Sequence, residues 1–194
     1  MEAICTARRV INAEINGLKA LYDDLDGFER AIEALDRSGK VIVTGIGKSG
    51  HMARKIAATM SSTGTPSIYM SAGDAGHGDI GVIGPMDALL ILSKSGHTPE
   101  LEGAIKYAKG LNVPIVAITA DTYSPLARQS NIVLKLPKAM EANDLNAPTT
   151  STTMMIALGD ALAITLMERK QFSASEFHMR HPAGQLGMTL GTER

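Results

Sequence analysis

Five short runs rich in Val, Ile and Leu alternate with segments of helical pattern through most of this 194-residue chain. The runs have the length of strands, and most of them are separated by segments whose apolar residues follow helical spacing. Strands that are buried on both faces and joined by helices form a parallel sheet covered on both sides. We therefore predict an α/β fold, a doubly wound three-layer αβα sandwich with a five-stranded parallel sheet. The predicted strands are 40–44, 66–70, 87–93, 114–119 and 132–136, and the predicted connecting helices are 48–62, 98–110 and 124–129.

Further helices are predicted before and after this region, at 2–21, 27–39 and 150–170. The last helix is apolar nearly all the way round, whereas a surface helix would show a single apolar stripe. Its uncovered face, like that of the first helix, is expected to contact another subunit; the alternative is a central core helix in a monomer. We expect one domain, 1–194, with helices 1–39 packed on the sheet and on a neighbouring subunit. The apolar residues predicted to lie roughly on one face of the first helix are Val10, Ile11, Ile15, Leu18 and Leu21.

Charge and cysteine content exclude several classes of function. The chain has 19 Lys and Arg residues against 20 Asp and Glu residues, without a basic stripe, so nucleic-acid binding is not indicated. A single Cys5 cannot form an internal disulfide, which favours a reducing compartment. The N-terminus lacks the pattern of a secretory signal, and the longest apolar stretch, 154–167, is too short to span a bilayer. We expect a soluble cytoplasmic protein without a membrane partner.

The stretch "TGIGKSGH", residues 44–51, follows the first predicted strand and could bind three kinds of phosphate ligand. A nucleoside-triphosphate loop needs a glycine at the position of Ile42, so that motif fails. A dinucleotide loop fits Gly45, Gly47 and Gly50, but no acidic residue ends the next strand. A sugar phosphate is the remaining alternative.

The stretch "SKSGHT", residues 93–98, follows the third predicted strand and opens a helix. Its three hydroxyls and the free N–H groups of a helix start would form an anion-binding turn without a metal. An ordinary helix cap needs only one such hydroxyl, which favours phosphate binding. A second hydroxyl cluster, "APTTSTT" at 147–153, opens the last helix and either completes the site or caps that helix.

Seven motifs in order resemble the sugar isomerase (SIS) domain family and, within it, the arabinose 5-phosphate isomerases. The resemblance covers 41–187 and rests on "GIGKSGH", "STGTPS", "GHGDIG", "SKSGHTPE", "APTTSTT", "GDALA" and "HPAGQLG". It implies interconversion of D-ribulose 5-phosphate and D-arabinose 5-phosphate through an enediol, as a step towards Kdo and lipopolysaccharide. Larger family members carry CBS domains, so this chain is expected to be a single-domain form. His97 stands where family members often have Glu, which leaves the sugar preference open.

The resemblance implies four catalytic residues: Lys48, Glu100, Glu141 and His181. One of the two glutamates would remove the proton, with Glu141 preferred, and we expect at least one of them to be partly desolvated so that its pKa approaches the working pH. His181 would protonate or deprotonate the ring oxygen, since its side chain titrates near neutrality, and it would reach a neighbouring subunit's site.

The expected ligand is a small sugar phosphate, and the expected assembly is a homotetramer, a dimer of dimers with active sites near subunit interfaces. No cofactor is expected to be required; zinc at His77 would be incidental or inhibitory. Two alternatives remain: another SIS isomerase acting on a hexulose or heptulose phosphate, and a noncatalytic sugar-phosphate sensor. The predicted binding residues are Thr44, Gly45, Ser49, His77, Ser93, Lys94, Ser95, Thr98, Thr150 and Ser151.

Overall fold

The computed structural model describes residues 2–182 and contains a five-stranded sheet whose strands all run parallel. The strand order is β2-β1-β3-β4-β5, and helices cover both faces, which confirms the predicted fold class. The strands are β1 (Val41–Gly45), β2 (Ser67–Ser71), β3 (Ala88–Leu92), β4 (Ile115–Thr119) and β5 (Ile132–Lys135). The helices are α1 (Glu2–Tyr22), α2 (Phe28–Asp36), α3 (Gly47–Ser62), α4 (Ala72–Ala75), α5 (Glu102–Gly110), α6 (Pro125–Gln129), α7 (Thr150–Arg169) and α8 (Ala174–Arg180).

Two helices and two short 3-10 turns were not predicted from the sequence. The helices are α4 and α8, and the turns are Asp79–Val82 and Pro99–Leu101. The start of α8 is marked in the sequence by a capping box. The Ser173 side chain accepts the backbone N–H of Glu176, and the Glu176 side chain accepts the backbone N–H of Ser173. The helix predicted at 98–110 begins instead as the second 3-10 turn, with Pro99 in its first position.

Only the three central strands are buried along their whole length. All five residues of β1, β3 and β4 are buried, whereas β2 and β5 form the edges and are partly exposed. Ile68 of β2, for example, is 44% exposed. The expectation of strands buried on both faces is therefore wrong for the edges, where a strand has only one neighbour.

The sheet separates two hydrophobic cores. On one face the odd-numbered residues of β1 and the even-numbered residues of β3 pack against α2, α3 and α7. On the other face the alternate residues pack against α4, α5 and α6. Because α3 and α5 leave the neighbouring strands β1 and β3 on opposite faces, the chain diverges between these two strands and opens a crevice at their carboxyl ends.

Helix α1 packs mainly on α7, so α2 is the N-terminal helix that reaches the sheet, at β5. Gly17 faces α7 so closely that a Cβ at that position would lie 2.5 Å from Thr150 Cγ2. The predicted apolar face of α1 is only partly covered within the domain: Leu21 is buried, whereas Ile11 and Ile15 are 57% and 42% exposed. The apolar pattern did not show that a glycine forms the contact.

Helix α7 is longer than the apolar stretch that was judged too short to span a bilayer. Its 20 residues are long and apolar enough to cross a bilayer by length and composition, so the shorter stretch 154–167 understates the helix. Half of its most apolar window is buried inside the domain, against α1, α2 and α3. That buried half belongs to the core of the domain.

Candidate active site

The junction between β1 and α3 brings backbone close to the crevice. A Cβ at Gly45 would lie 2.9 Å from Leu92 O, and a Cβ at Gly50 would lie 2.9 Å from Gly45 O. Gly47 adopts a positive φ of 58°, a conformation that favours glycine. The residue before α3, Ile46, supplies no side-chain cap, so the first N–H groups of this helix stay available to an anion.

Lys48 and Ser49 lie in the first turn of α3 beside these N–H groups. Lys48 is exposed and Ser49 is half-buried, and neither side chain makes a hydrogen bond or ion pair within residues 2–182. Thr44 differs, because its buried hydroxyl donates to the carbonyl of Met70 (2.7 Å) and so joins β1 to β2. That donor is already engaged within the sheet.

The loop after β3 is held in shape by its own hydroxyls. Ser93 Oγ and Thr98 Oγ1 lie 2.8 Å apart, and the N–H of Gly96 donates to Ser93 Oγ (3.1 Å). Ser95 is exposed, and its oxygen accepts the N–H of His97 (3.2 Å). All three hydroxyl oxygens therefore help to build the turn, and the Ser95 O–H donates no hydrogen bond within residues 2–182.

Glu141 receives donors on both carboxylate oxygens. Its Oε1 accepts from Lys94 Nζ (2.5 Å) and Ser151 Oγ (2.5 Å), and its Oε2 accepts the N–H groups of Thr149 (2.8 Å) and Ser151 (3.3 Å). Thr149 Oγ1 adds a fifth bond of 3.2 Å. The Glu141 side chain is only 1% exposed. The carboxylate therefore caps α7 and pairs with the loop after β3.

Glu141 is desolvated, as expected of at least one of the two glutamates, but its pKa does not move towards neutrality. Burial does raise its pKa, but the hydrogen bonds from Lys94, Ser151 and the backbone of Thr149 and Ser151 outweigh burial and lower the pKa to about 2. Donors that stabilise the ionised form make a carboxylate a weak base. Glu141 is buried as expected and ionised at neutral pH.

The hydroxyl cluster at the start of α7 acts mainly through Glu141. Thr149 and Ser151 both donate to it, as described above. Thr150 is fully buried, and its Oγ1 has no hydrogen-bond partner in the described part of the chain. Ser151 of this cluster, Lys94 and the loop 136–140 line a cavity of about 280 Å³.

Glu100 and His77 are exposed residues that follow β3 and β2 along the chain. Glu100 lies in the second 3-10 turn, and its carboxylate makes no hydrogen bond within residues 2–182. His77 lies between α4 and the first 3-10 turn. Among the described residues, no three His, Cys, Asp or Glu side chains are grouped to hold a metal, so His77 does not belong to such a cluster there.

His181 lies at the opposite end of the domain from Lys48. The neighbouring Arg180 donates to Ser61 O (2.8 Å) at the end of α3, while the His181 ring stacks on Phe177 with centroids 3.9 Å apart. Because α3 has 16 residues, its two ends are about 24 Å apart. Within one chain His181 does not join the other predicted catalytic residues. The rest of the motif "HPAGQLG" that lies at 183–187 is outside the described residues.

The prediction missed two residues of this region. Asp121 follows β4, and its Oδ2 lies 3.2 Å from Nε2 of His97, so the pair lies beside the loop after β3. The signal was present, because Asp121 directly follows a buried strand at the same edge of the sheet. Thr149 was part of a noted cluster, but nothing local indicated that it would bind Glu141.

The fold and the site define a class: a doubly wound α/β domain whose candidate site lies at the carboxyl edge of its sheet, between β1 and β3. The family model described as the SIS domain matches residues 34–165. The chain belongs to the SIS domain family, as the resemblance predicted.

Three similar proteins agree with this membership. The arabinose 5-phosphate isomerase KdsD of Francisella tularensis is 46% identical over 194 aligned residues, covering 96% of this chain and 59% of that protein. KdsD of Pseudomonas aeruginosa is 42% identical, over 98% of this chain and 59% of that protein. The solved structure of Escherichia coli CFT073 c3406, in complex with arabinose 5-phosphate, has a TM-score of 0.90 and 34% identity, covering 93% of this chain and 98% of that one. The chain spans 59% of the length of these two KdsD relatives.

Proposed function

We propose that this protein is an isomerase that interconverts D-ribulose 5-phosphate and D-arabinose 5-phosphate. One observation carries the proposal: Lys48 of α3, which is unpaired within residues 2–182, and the loop 93–98 border the same crevice between β1 and β3. A sugar phosphate bound in this crevice would meet the hydroxyls of the loop 93–98 on one side and the first turn of α3, with the ammonium group of Lys48, on the other. The names of the KdsD relatives and the sugar phosphate bound in the c3406 structure support this choice of substrate.

The chemistry requires an anchor, a base and a charge to stabilise the intermediate. The hydroxyl of Ser95 and the free N–H groups at the start of α3 would hold the phosphate. A carboxylate would remove the proton from C2 of the open-chain aldose and return a proton to C1, while a proton moves from O2 to O1, so no external oxidant or reductant takes part. Lys48 would stabilise the negative charge that develops on the enediol oxygens.

We infer that the reaction needs no metal or organic cofactor, because proton transfer between adjacent carbons can use protein side chains alone. Zinc bound at His77 would be incidental or inhibitory. A single imidazole binds zinc weakly unless other ligands join it.

We infer further that the active protein is a homotetramer, a dimer of dimers, in which His181 serves the site of a neighbouring subunit. The separation of His181 from Lys48 within one chain supports this arrangement. An unpartnered apolar side of α1 supports it too. This side consists of Ile4, Ile11, Ile15 and Tyr22, each more than 40% exposed.

The product would enter Kdo and lipopolysaccharide synthesis in the cytoplasm. Both substrates are small phosphorylated pentoses, which do not cross membranes unaided because of their charge. The enzyme would therefore work in the compartment that holds them.

The proposal is tested by proton NMR of the purified protein with arabinose 5-phosphate and ribulose 5-phosphate, with and without EDTA. We expect both sugars to reach one equilibrium mixture at a rate that EDTA does not lower. Parallel samples contain hexulose and heptulose phosphates. Turnover of only these sugars would indicate another isomerase, and binding without any turnover would indicate a sensor.

A further inference from the structure

Glu141 is bound by more donors than a reacting carboxylate can accept. Five hydrogen bonds reach its two oxygens, from Lys94, Thr149 and Ser151. A carboxylate offers about four lone-pair positions, so no position is left for a proton from substrate. The 1% exposure of its side chain removes any open approach as well.

The same contacts join two parts of the domain, the start of α7 and Lys94, through the Glu141 side chain. Its Oε2 receives the N–H groups at the start of α7, and its Oε1 receives Lys94, which is 47 residues away in sequence. The backbone of Lys94 is fixed independently, because its carbonyl accepts from Ala120 N (2.9 Å) and Thr119 Oγ1 (3.2 Å). The ammonium group is therefore the part of Lys94 that depends on Glu141 for its position.

We infer that Glu141 is a positioning residue, which joins the start of α7 to Lys94 and holds that ammonium group beside the loop 93–98, and that it does not remove the substrate proton. The inference rests on the proposed function in one respect: the reaction in which Glu141 does not remove the proton is the proposed isomerisation. It leaves Glu100 as the glutamate of the pair whose oxygens are free within residues 2–182.

A consequence concerns where the substrate phosphate binds. The positive end of a long helix attracts anions, but at α7 a carboxylate already accepts the N–H groups there. The uncapped start of α3 and the loop 93–98 are then the remaining anion-binding groups of the crevice. The low pKa of Glu141, about 2, agrees with a carboxylate that stays ionised in this position.

A double-mutant cycle tests the inference with Lys94→Met, Glu141→Gln and the double variant. Because both residues act through one ammonium group, we expect each single change to lower kcat/KM by about ten- to a hundred-fold. The double variant should be no slower than the slower single variant. The acid limb of the pH profile of kcat/KM should remain in Glu141→Gln.

A general base would give a different pattern. The Glu141→Gln variant would then lose kcat by about a thousand-fold, well beyond the loss in Lys94→Met, and the acid limb would disappear. Either result overturns the inference. If Glu141→Gln does not fold, the kinetics of Lys94→Met test the inference instead. Unchanged kcat/KM in that variant would show that the ammonium group has no role, and would overturn the inference.

The unfolding free energies of the same four proteins give a readout that needs no turnover. We expect the two substitutions to be non-additive, since each breaks the same ion pair. Additive losses overturn the inference even if no sugar phosphate is converted, a result that would separately refute the proposed function. The matched control is Asp87→Asn, which weakens a partly buried ion pair with Lys40 (2.6 Å) near the amino ends of the strands and should leave kcat/KM unchanged.

Discussion

Gly96 and Ser124 are in such close contact that no side chain fits between them. A Cβ at Gly96 would lie 2.0 Å from Ser124 Oγ, and Gly96 also has a positive φ of 67°. This contact fixes the loop after β3 against the start of α6, where the N–H of Leu126 donates to Gly96 O (3.2 Å). The shape of the proposed phosphate-binding loop thus depends on a residue that has no functional group.

We predict that Gly96→Ala weakens both folding and phosphate binding. The strained backbone and the collision with Ser124 should lower the unfolding free energy by about 1–3 kcal/mol. Urea unfolding measures the first effect and calorimetric titration with inorganic phosphate the second. Gly103→Ala is the matched control, because a Cβ there meets nothing within 4 Å: phosphate affinity should stay near wild type, and the unfolding free energy should be unchanged or higher by up to about 1 kcal/mol, since Gly103 lies in α5. Normal phosphate affinity in Gly96→Ala would contradict the role given to this loop.

Lys48→Met should abolish most activity without loss of stability. Lys48 is exposed and unpaired within residues 2–182, so folding does not depend on its charge. Loss of a group that stabilises the intermediate should lower kcat by about a hundred- to a thousand-fold. Lys55→Met, on the same helix, removes only a surface pair with Asp160 and should keep wild-type kinetics. If the two variants behave alike, Lys48 is a surface lysine.

The ion pair of Glu141 should make stability depend on pH in the acid range. Its folded-state pKa of about 2 lies below the ordinary value of 4.5, so its contribution is fully present above pH 4.5 and is lost as pH falls towards 2. The shift corresponds to at most about 3 kcal/mol. Urea unfolding of wild type and Glu141→Gln should therefore differ at pH 6 and converge near pH 2. A difference that stays constant across this range would rule out the ionised pair as its cause.

Two inactive variants should restore activity when their subunits are mixed. If Lys48 and His181 of one site belong to different chains, co-expressed Lys48→Met and His181→Ala subunits form some sites with both residues intact. Random assembly predicts about a quarter of wild-type activity. The control is each variant expressed alone. Mixed oligomers verified by mass spectrometry that show no recovery would place both residues in one chain's site.

A charge on the outer side of α1 should reduce the size of the assembly. Ile11 and Ile15 are 57% and 42% exposed, and burying a charge between subunits without a partner is costly. We expect Ile15→Glu to lower the molar mass measured by sedimentation velocity. The matched control is Asn16→Glu, which adds the same charge at an exposed position about 100° further round the helix and should leave the molar mass unchanged. An unchanged tetramer in Ile15→Glu would move the interface away from this side.

The strands and the ends of most helices could be predicted because their causes are local. The central strands are continuous apolar runs, and Pro99 and the glycines at 45, 47 and 50 act on their own backbone. The prediction failed where a small residue forms the contact between two helices, as Gly17 does between α1 and α7. Apolar periodicity is read from large side chains, so it does not detect a contact made by glycine. It also failed for the short helix α4, which has too few residues to show a period.

The sequence by itself determined the class of fold, the family, and which loops would meet at the carboxyl ends of the strands, because parallel strands with helical crossovers place those loops together. Only the tertiary structure decided the partners of the charged groups. Lys94 and Glu141 are 47 residues apart, and their pairing depends on how α7 packs across the sheet. The same packing carries His181 to the far end of the domain. The pKa of a carboxylate and the reach of a histidine follow from neighbours in space, which no local pattern specifies.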